Sequence, residues 1–276
     1  MHRRTAGLAV LLIAASLAAC GGRDTRLDGA PGSAHIPDLP GDAIPKPEPR
    51  SRYGNGPRYE VFGKHYTVMK SSAGYQERGV ASWYGTKFHG NLTSNQETYD
   101  MYKMTAAHKT LPLPTYVRIR NLSNNKTVIV RINDRGPFVN NRIIDLSYAA
   151  ALKLDMVRYG TSMVEVTAIS FDTPAGNQPM RNVMGSPPEA PASEPIMASN
   201  QIYVQIGAFG ESANAERRLG LLASAGIAGG FIYDDRSVSP TLYRVRIGPI
   251  DNVVQYDALV EELELLGISD PYLITE

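Results

Sequence analysis

Residues 117–138 read VRIRNLSNNKTVIVRINDRGPF, and this stretch decides the fold of the first half of the chain. Val117 and Ile119, then Val128, Val130 and Ile132, alternate with Arg118, Arg120, Arg131 and Asn133. A period of two places the apolar residues on one face of half-buried strands. Asn124-Asn125 between the runs tolerates the left-handed backbone that a hairpin turn needs. Downstream, Ser147–Leu154 predicts one short helix, with Ser147 as N-cap and Gly160 beyond its end. Residues 164–168 return to strand. Short strands with little helix predict a barrel or sandwich over residues 58–172.

Further on the pattern changes. Ile202–Ala208 reads as a strand, and Ser212 can cap a helix whose face carries Ala215, Leu219 and Leu222 and which Gly226 stops. Phe231–Tyr233 and Leu242–Ile247 read as strands. Leu259, Leu263 and Leu266 share a helical face that ends at Gly267, and Tyr272–Ile274 is a last strand. The order βαββαβ predicts an α/β sandwich of ferredoxin-like type over residues 200–276. Residues 173–199, rich in Pro, Ala, Ser and Gly, read as an interdomain linker.

The start of the chain is of another kind. Arg3 and Arg4 precede an apolar run, Leu8–Ala19, broken only by Ser16. That run is shorter than the roughly 20 residues a spanning helix needs, so residues 1–19 read as a cleavable signal. Leu17-Ala18-Ala19-Cys20 resembles the lipobox of bacterial lipoproteins, in which the cysteine takes a diacylglycerol and becomes the new N-terminus. Cys20 is the single cysteine of the chain, which rules out an intrachain disulfide. Residues 20–57 have few large apolar residues and many prolines, and are expected to be a disordered tether of roughly 100 Å reach at about 3.1 Å per residue. The net charge is +1, which gives no electrostatic case for nucleic acid.

Chemistry-bearing residues gather in the first unit. Asn133-Asp134-Arg135-Gly136-Pro137-Phe138 ends a strand in a sharp turn, and Asp145 lies in the next apolar run. Glu97 and Asp100 sit in Glu97-Thr98-Tyr99-Asp100, and His108 closes Thr105-Ala106-Ala107-His108. Loops and strand ends are where a rigid scaffold holds reactive groups. Taken singly, each has a structural reading: Asp134 as a turn residue, Asp145 as partner of Arg142 or a helix start, His108 as a satisfied half-buried histidine. Spacing alone gives a possible carboxylate site. A metal-dependent hydrolase is disfavoured, since His89 and His108 form no ligand spacing, and no cofactor is implied.

Gly79–Gly85, Phe88-His89-Gly90, Thr105–His108, Leu111-Pro112-Leu113-Pro114 and Asn133–Phe138 together resemble the rare lipoprotein A family. The resemblance implies a double-psi β-barrel, as in expansins, barwin and family-45 endoglucanases. It implies a lytic transglycosylase that cleaves the β-1,4 bond between N-acetylmuramic acid and N-acetylglucosamine in glycan free of stem peptides, leaving a 1,6-anhydro end. By the same resemblance Asp134 is the expected catalytic acid, and Glu97, Asp100 and His108 are expected to line the groove. Such an acid must be protonated near neutral pH, and its neighbours decide that. Family members often have Gly where Gln96 stands, and a positive φ there would strain Gln.

Tyr203–Phe209 and Tyr243–Pro249 resemble the SPOR domain, which implies binding of denuded glycan on the sheet, with Gln205, Phe209, Tyr243 and Arg246 as candidates. The combined architecture implies action at the division septum, possible divisome partners, and a lipid anchor at Cys20 in the outer membrane, since residue 21 is Gly rather than Asp. The competing expectation is a peptidoglycan-binding lipoprotein whose barrel has no turnover, because the fold alone does not decide activity.

Overall fold

The computed structural model describes residues 28–32, 38–139, 141–171, 201–269 and 271–276. A hairpin of β1 (Arg58–Val61) and β2 (Lys64–Thr67) precedes the barrel, with Tyr59 stacked on Tyr66 at 5.2 Å. The barrel strands are β3 (Gln76–Tyr84), β4 (Thr105–His108), β5 (Thr115–Asn121), β6 (Thr127–Asp134), β7 (Arg142–Ser147) and β8 (Ser162–Ile169). They close in the order β3-β7-β4-β6-β5-β8. β3 runs parallel to β7 and β4 parallel to β6, and the other pairings are antiparallel: this is the double-psi arrangement.

The alternation seen in the sequence is the inside–outside alternation of the barrel. Val117, Ile119, Val130, Ile132, Ile144, Leu146, Val164 and Val166 are fully buried in one core, while Arg118 points outward. Asn125 takes φ 58 in the β5–β6 turn. Ser147 caps helix α1 (Tyr148–Lys153) by accepting from the Ala150 amide. Its buried alanines let the short helix lie close on the barrel end.

The second unit is β9 (Ile202–Phe209), α2 (Ser212–Ser224), β10 (Gly230–Asp235), β11 (Leu242–Ile247), α3 (Val253–Leu265) and β12 (Tyr272–Thr275). Its sheet order β10-β11-β9-β12 is antiparallel throughout, as the ferredoxin-like expectation requires. One detail differs. The N-cap of α2 is Glu211, which makes no capping bond, and Ser212 is the first helical residue, its hydroxyl turned to Glu216. The units touch where Arg142 makes two bonds of 2.8 Å to Asp257, and where Val80, Leu122 and Met163 join the apolar cluster of the second unit.

The tether expectation fails over residues 38–57, which are laid along the barrel. Ala43 N donates to Ile129 O at 3.0 Å, Ile129 N donates to Asp42 Oδ2 at 3.0 Å, and Ser51 N donates to Leu113 O at 2.8 Å. Asn55 bridges both ways to Leu113, and Arg135 donates to Gly54 O at 2.8 Å. A core is not what holds this strap. Prolines lower the entropy lost on ordering it, and backbone bonds and ion pairs hold it. Cys20 and the linker over 173–199 lie outside the described residues.

Candidate active site

Strand β4 is the centre of the site. In its register Ala107 pairs with Asp134 of β6 on one side and with Asp145 of β7 on the other. Paired residues share a face, and strands stand about 4.8 Å apart, so the two aspartates flank Ala107 with their Cα atoms about 10 Å from each other. A register shift between Ala106 and Ala107 makes this possible: it skips Asn133 and brings Asp134 opposite Ala107. Both carboxylates act on the buried Tyr84 hydroxyl, whose pKa rises chiefly through burial, then through Tyr99, Asp134 and Asp145. Gly136, at φ +136, stands over this floor. A Cβ there would lie 3.8 Å from both Ala107 Cβ and Asp145 Oδ2, so glycine keeps the space beside the carboxyl open.

The two aspartates are held differently. Asp134 Oδ1 accepts from Ser94 N (2.7 Å), Ser94 Oγ (2.6 Å) and its neighbour's amide, Arg135 N (2.7 Å). Asp145 accepts a short bond from the Ser82 hydroxyl. Burial raises the Asp145 carboxyl above the ordinary aspartate value, and the Ser82 hydroxyl, Lys109 and Arg142 oppose this without cancelling it.

Glu97 enters from the loop before β4. Thr93 ties that loop by donating to Asn95 Oδ1 (2.6 Å), and Ser94 in the same loop holds Asp134. Glu97 takes both oxygens to Arg131 Nη1 at 2.9 Å and one to Asn133 Nδ2 at 2.9 Å. Glu97 and Asp134 are therefore parts of one constellation. Gln96 has φ 69, the positive value that glycine would adopt without strain.

His108 and Asp100 have other partners. His108 is 2 % exposed; its Nδ1 accepts from the amides of Thr110 and Leu111 at 3.1 and 3.0 Å. The ring proton therefore sits on Nε2, 2.8 Å from the Tyr75 hydroxyl. Burial, helped by Arg135 and Lys109, depresses its pKa to about 3, so the ring is neutral. Its carbonyl and that of Leu111 receive Arg135 Nη1, which braces the end of β4 against the strap. Asp100 accepts from the Tyr102 amide at 3.0 Å and lies 3.9 Å from His89, and its charge, like that of Asp145, acts on the Tyr99 hydroxyl. Among the described residues no His, Cys, Asp or Glu side chains gather as a metal site.

On the second unit's sheet, Gln205 and Arg246 are register partners, and Arg246 Nε donates to Gln205 Oε1 at 3.4 Å. Arg246 also pairs with Glu276 and lies 4.0 Å over the Tyr233 ring, and Gln205 meets Tyr272. Phe209 and Tyr243 are register partners packed partly against the core. The contacts of Tyr233 and Tyr272 with Arg246 and Gln205, of Ser82 and Ser94 with the two aspartates, and the place of Asp145 opposite Ala107 are not announced by the sequence pattern. Asp145 itself carries one signal: it is a lone carboxylate inside the apolar strand Ile143-Ile144-Asp145-Leu146.

Comparison with known proteins bears on both units. Residues 76–166 match the family described as lytic transglycolase, and residues 198–275 match the SPOR domain. The endolytic peptidoglycan transglycosylase RlpA of Vibrio cholerae is 49% identical over 180 residues, 65% of this chain and 68% of that protein. The protein of the same name from Pseudomonas aeruginosa, strain UCBPP-PA14, is 37% identical over 289 residues, 90% of this chain and 84% of that protein. Among solved structures, the SPOR domain of Pseudomonas aeruginosa RlpA aligns at 27% identity and TM-score 0.25, covering 26% of this chain and 96% of that one.

Proposed function

The chain belongs to the RlpA family of endolytic peptidoglycan transglycosylases, and from that premise we propose that its barrel cuts glycan over Ala107, between Asp134 and Asp145. It is a lytic transglycosylase acting on peptidoglycan. The proposed bond is the β-1,4 link between N-acetylmuramic acid and N-acetylglucosamine in strands without stem peptides, with a 1,6-anhydro end as product.

Asp145 is the proposed acid. A general acid for this bond has to carry a proton near neutral pH, and burial favours the protonated form of Asp145. It donates that proton to the glycosidic oxygen as the bond breaks. The same carboxylate then takes the proton of the sugar's 6-hydroxyl, whose oxygen closes on the anomeric carbon. No water enters, and the carboxyl ends protonated as it began. Asp134 and Glu97 supply negative charge opposite the developing oxocarbenium-like centre. The proposed acid is thus Asp145 in place of Asp134, and its place opposite Ala107, part-buried and with the space at its Oδ2 kept open by Gly136, carries the reading. His108 keeps β4 in place from behind.

The second unit is proposed to bind denuded glycan through the sheet face that carries Gln205, Arg246, Tyr233 and Tyr272, and to direct the enzyme to the septum. Cys20 is proposed to hold the chain in the outer membrane by its lipid. Asp28 accepts from Gly85 N at 2.9 Å, so the stretch from Cys20 to Asp28 allows at most about 28 Å between anchor and barrel when fully extended. On that reading the barrel would work near the membrane surface, closer than a free tether to residue 57 would allow.

Purified chain from residue 20 onward, incubated with glycan strands stripped of stem peptides, should yield 1,6-anhydro products by mass spectrometry. Asp145→Asn should slow their release by roughly 10²–10⁴-fold, the usual contribution of a general acid. If Asp145→Asn keeps the parental rate and Asp134→Asn loses it, the acid is Asp134. If the parent binds these strands without cutting them, the proposal that glycan free of stem peptides is its substrate fails.

A further inference from the structure

Glu48 lies in the Pro-rich strap, outside residues 76–166 that match the transglycosylase family. It nevertheless reaches the site through one intermediary. Arg131 Nε and Nη2 hold the two Glu48 oxygens at 3.0 and 2.8 Å, while Arg131 Nη1 holds both Glu97 oxygens at 2.9 Å. The Tyr116 hydroxyl donates to Glu48 as well. Arg131 and Glu48 are four-fifths buried, with side-chain exposures of 19% and 20%, while Glu97 is 42% exposed.

Two geometric facts follow. An arginine on a strand face could swing about its long stem. With three of its nitrogens engaged in a fixed fork, Arg131 presents Nη1 to Glu97 in one direction. One guanidinium is also shared by two carboxylates, so the trio carries a net negative charge, and Glu97 is its more exposed member. A dedicated Arg131–Glu97 pair would be neutral and would lend little to a positive transition state.

We propose that Glu48 is a positioning residue for the transglycosylase reaction: it fixes Arg131, and through it the place and the uncompensated charge of Glu97. The strap is thus part of the catalytic unit rather than a spacer. The proposal rests on the groove reading given above.

The test uses Glu48→Gln, Glu48→Ala and Glu97→Gln in the chain from residue 20 onward, with denuded strands as substrate. Glu48→Gln, which keeps shape and loses charge, should lower kcat by roughly 10- to 100-fold, in the range set by small misplacements remote from the chemistry. KM should stay within about twofold and the melting temperature within a few degrees of the parent. Formate should restore part of the Glu48→Ala rate, because a free carboxylate can occupy the partly open slot beside Arg131. Parental kcat in Glu48→Gln would overturn the proposal. So would a Glu48→Ala defect that follows loss of folded protein and ignores formate. Glu97→Gln separates the two readings: if it retains full activity the groove reading fails, and if it is impaired while both Glu48 variants are not, the strap proposal alone fails.

Discussion

His108 should make the barrel acid-sensitive, and the size of the effect can be worked out. Its native pKa is about 3, against about 6.5 in the unfolded chain. Below pH 6.5 the unfolded chain takes a proton that the native protein refuses, so stability falls as pH falls. The contribution is intact above pH 6.5 and declines by about 1.4 kcal/mol per pH unit down to pH 3. At pH 5 the loss is about 2 kcal/mol. Urea melts of the parent and of His108→Asn at pH 7.5 and pH 5.0 read this difference. Asn can offer an oxygen to the Thr110 and Leu111 amides and cannot titrate. The variant is destabilised at both pH values, but the parent should lose about 2 kcal/mol more than the variant between them. Equal losses, or a His108 ring that titrates near 6.5 by NMR, would refute the reasoning and would return His108 to the list of groups able to shuttle protons at neutral pH.

Other outcomes follow from particular contacts. Lys109 lowers the Asp145 pKa, so Lys109→Met should raise it and move the alkaline limb of the pH–rate profile upward, whereas an unmoved limb would detach that limb from Asp145. Gln96→Gly removes a left-handed non-glycine residue worth roughly 1–2 kcal/mol of strain, offset by glycine's added chain entropy, for a net gain of roughly 0.5–1 kcal/mol in a urea melt. A chain beginning at residue 58 loses the strap bonds to Ile129, Leu113, Arg131 and Arg135 and should be less stable than one beginning at residue 38 by roughly 3–5 kcal/mol; equal melts would mean the strap adds nothing.

Much of the fold was legible because burial writes a period into sequence. Val128, Val130 and Ile132 alternate because one face of β6 fills the barrel, and Ser147 announced a helix start through its capping hydroxyl. Leu259 and Leu263 gave the buried face of α3 in the same way. The strap escaped this logic. Its attachment uses backbone bonds and Glu48, and neither leaves an apolar pattern. Glu97 and Asp134 could be placed in one site by motif, but their neighbours could not be, since Ser94 meets Asp134 only through the folded loop. Spacing offers Asp145 as a partner for Arg142 or a helix start, yet Arg142 turns to Asp257 and Asp145 accepts from Ser82. The resemblance puts His108 in the groove, whereas its residue reading, a satisfied buried histidine, is what its burial and its two partnered ring nitrogens fit.

Asp145 is proposed to break the glycan without admitting water. Digestion of denuded strands in water enriched in oxygen-18 tests it most directly. The account predicts new 1,6-anhydro ends that carry no label, formed by the parent and nearly absent with Asp145→Asn. Reducing ends that carry the label, or unlabelled anhydro ends formed equally well by Asp145→Asn, would contradict it.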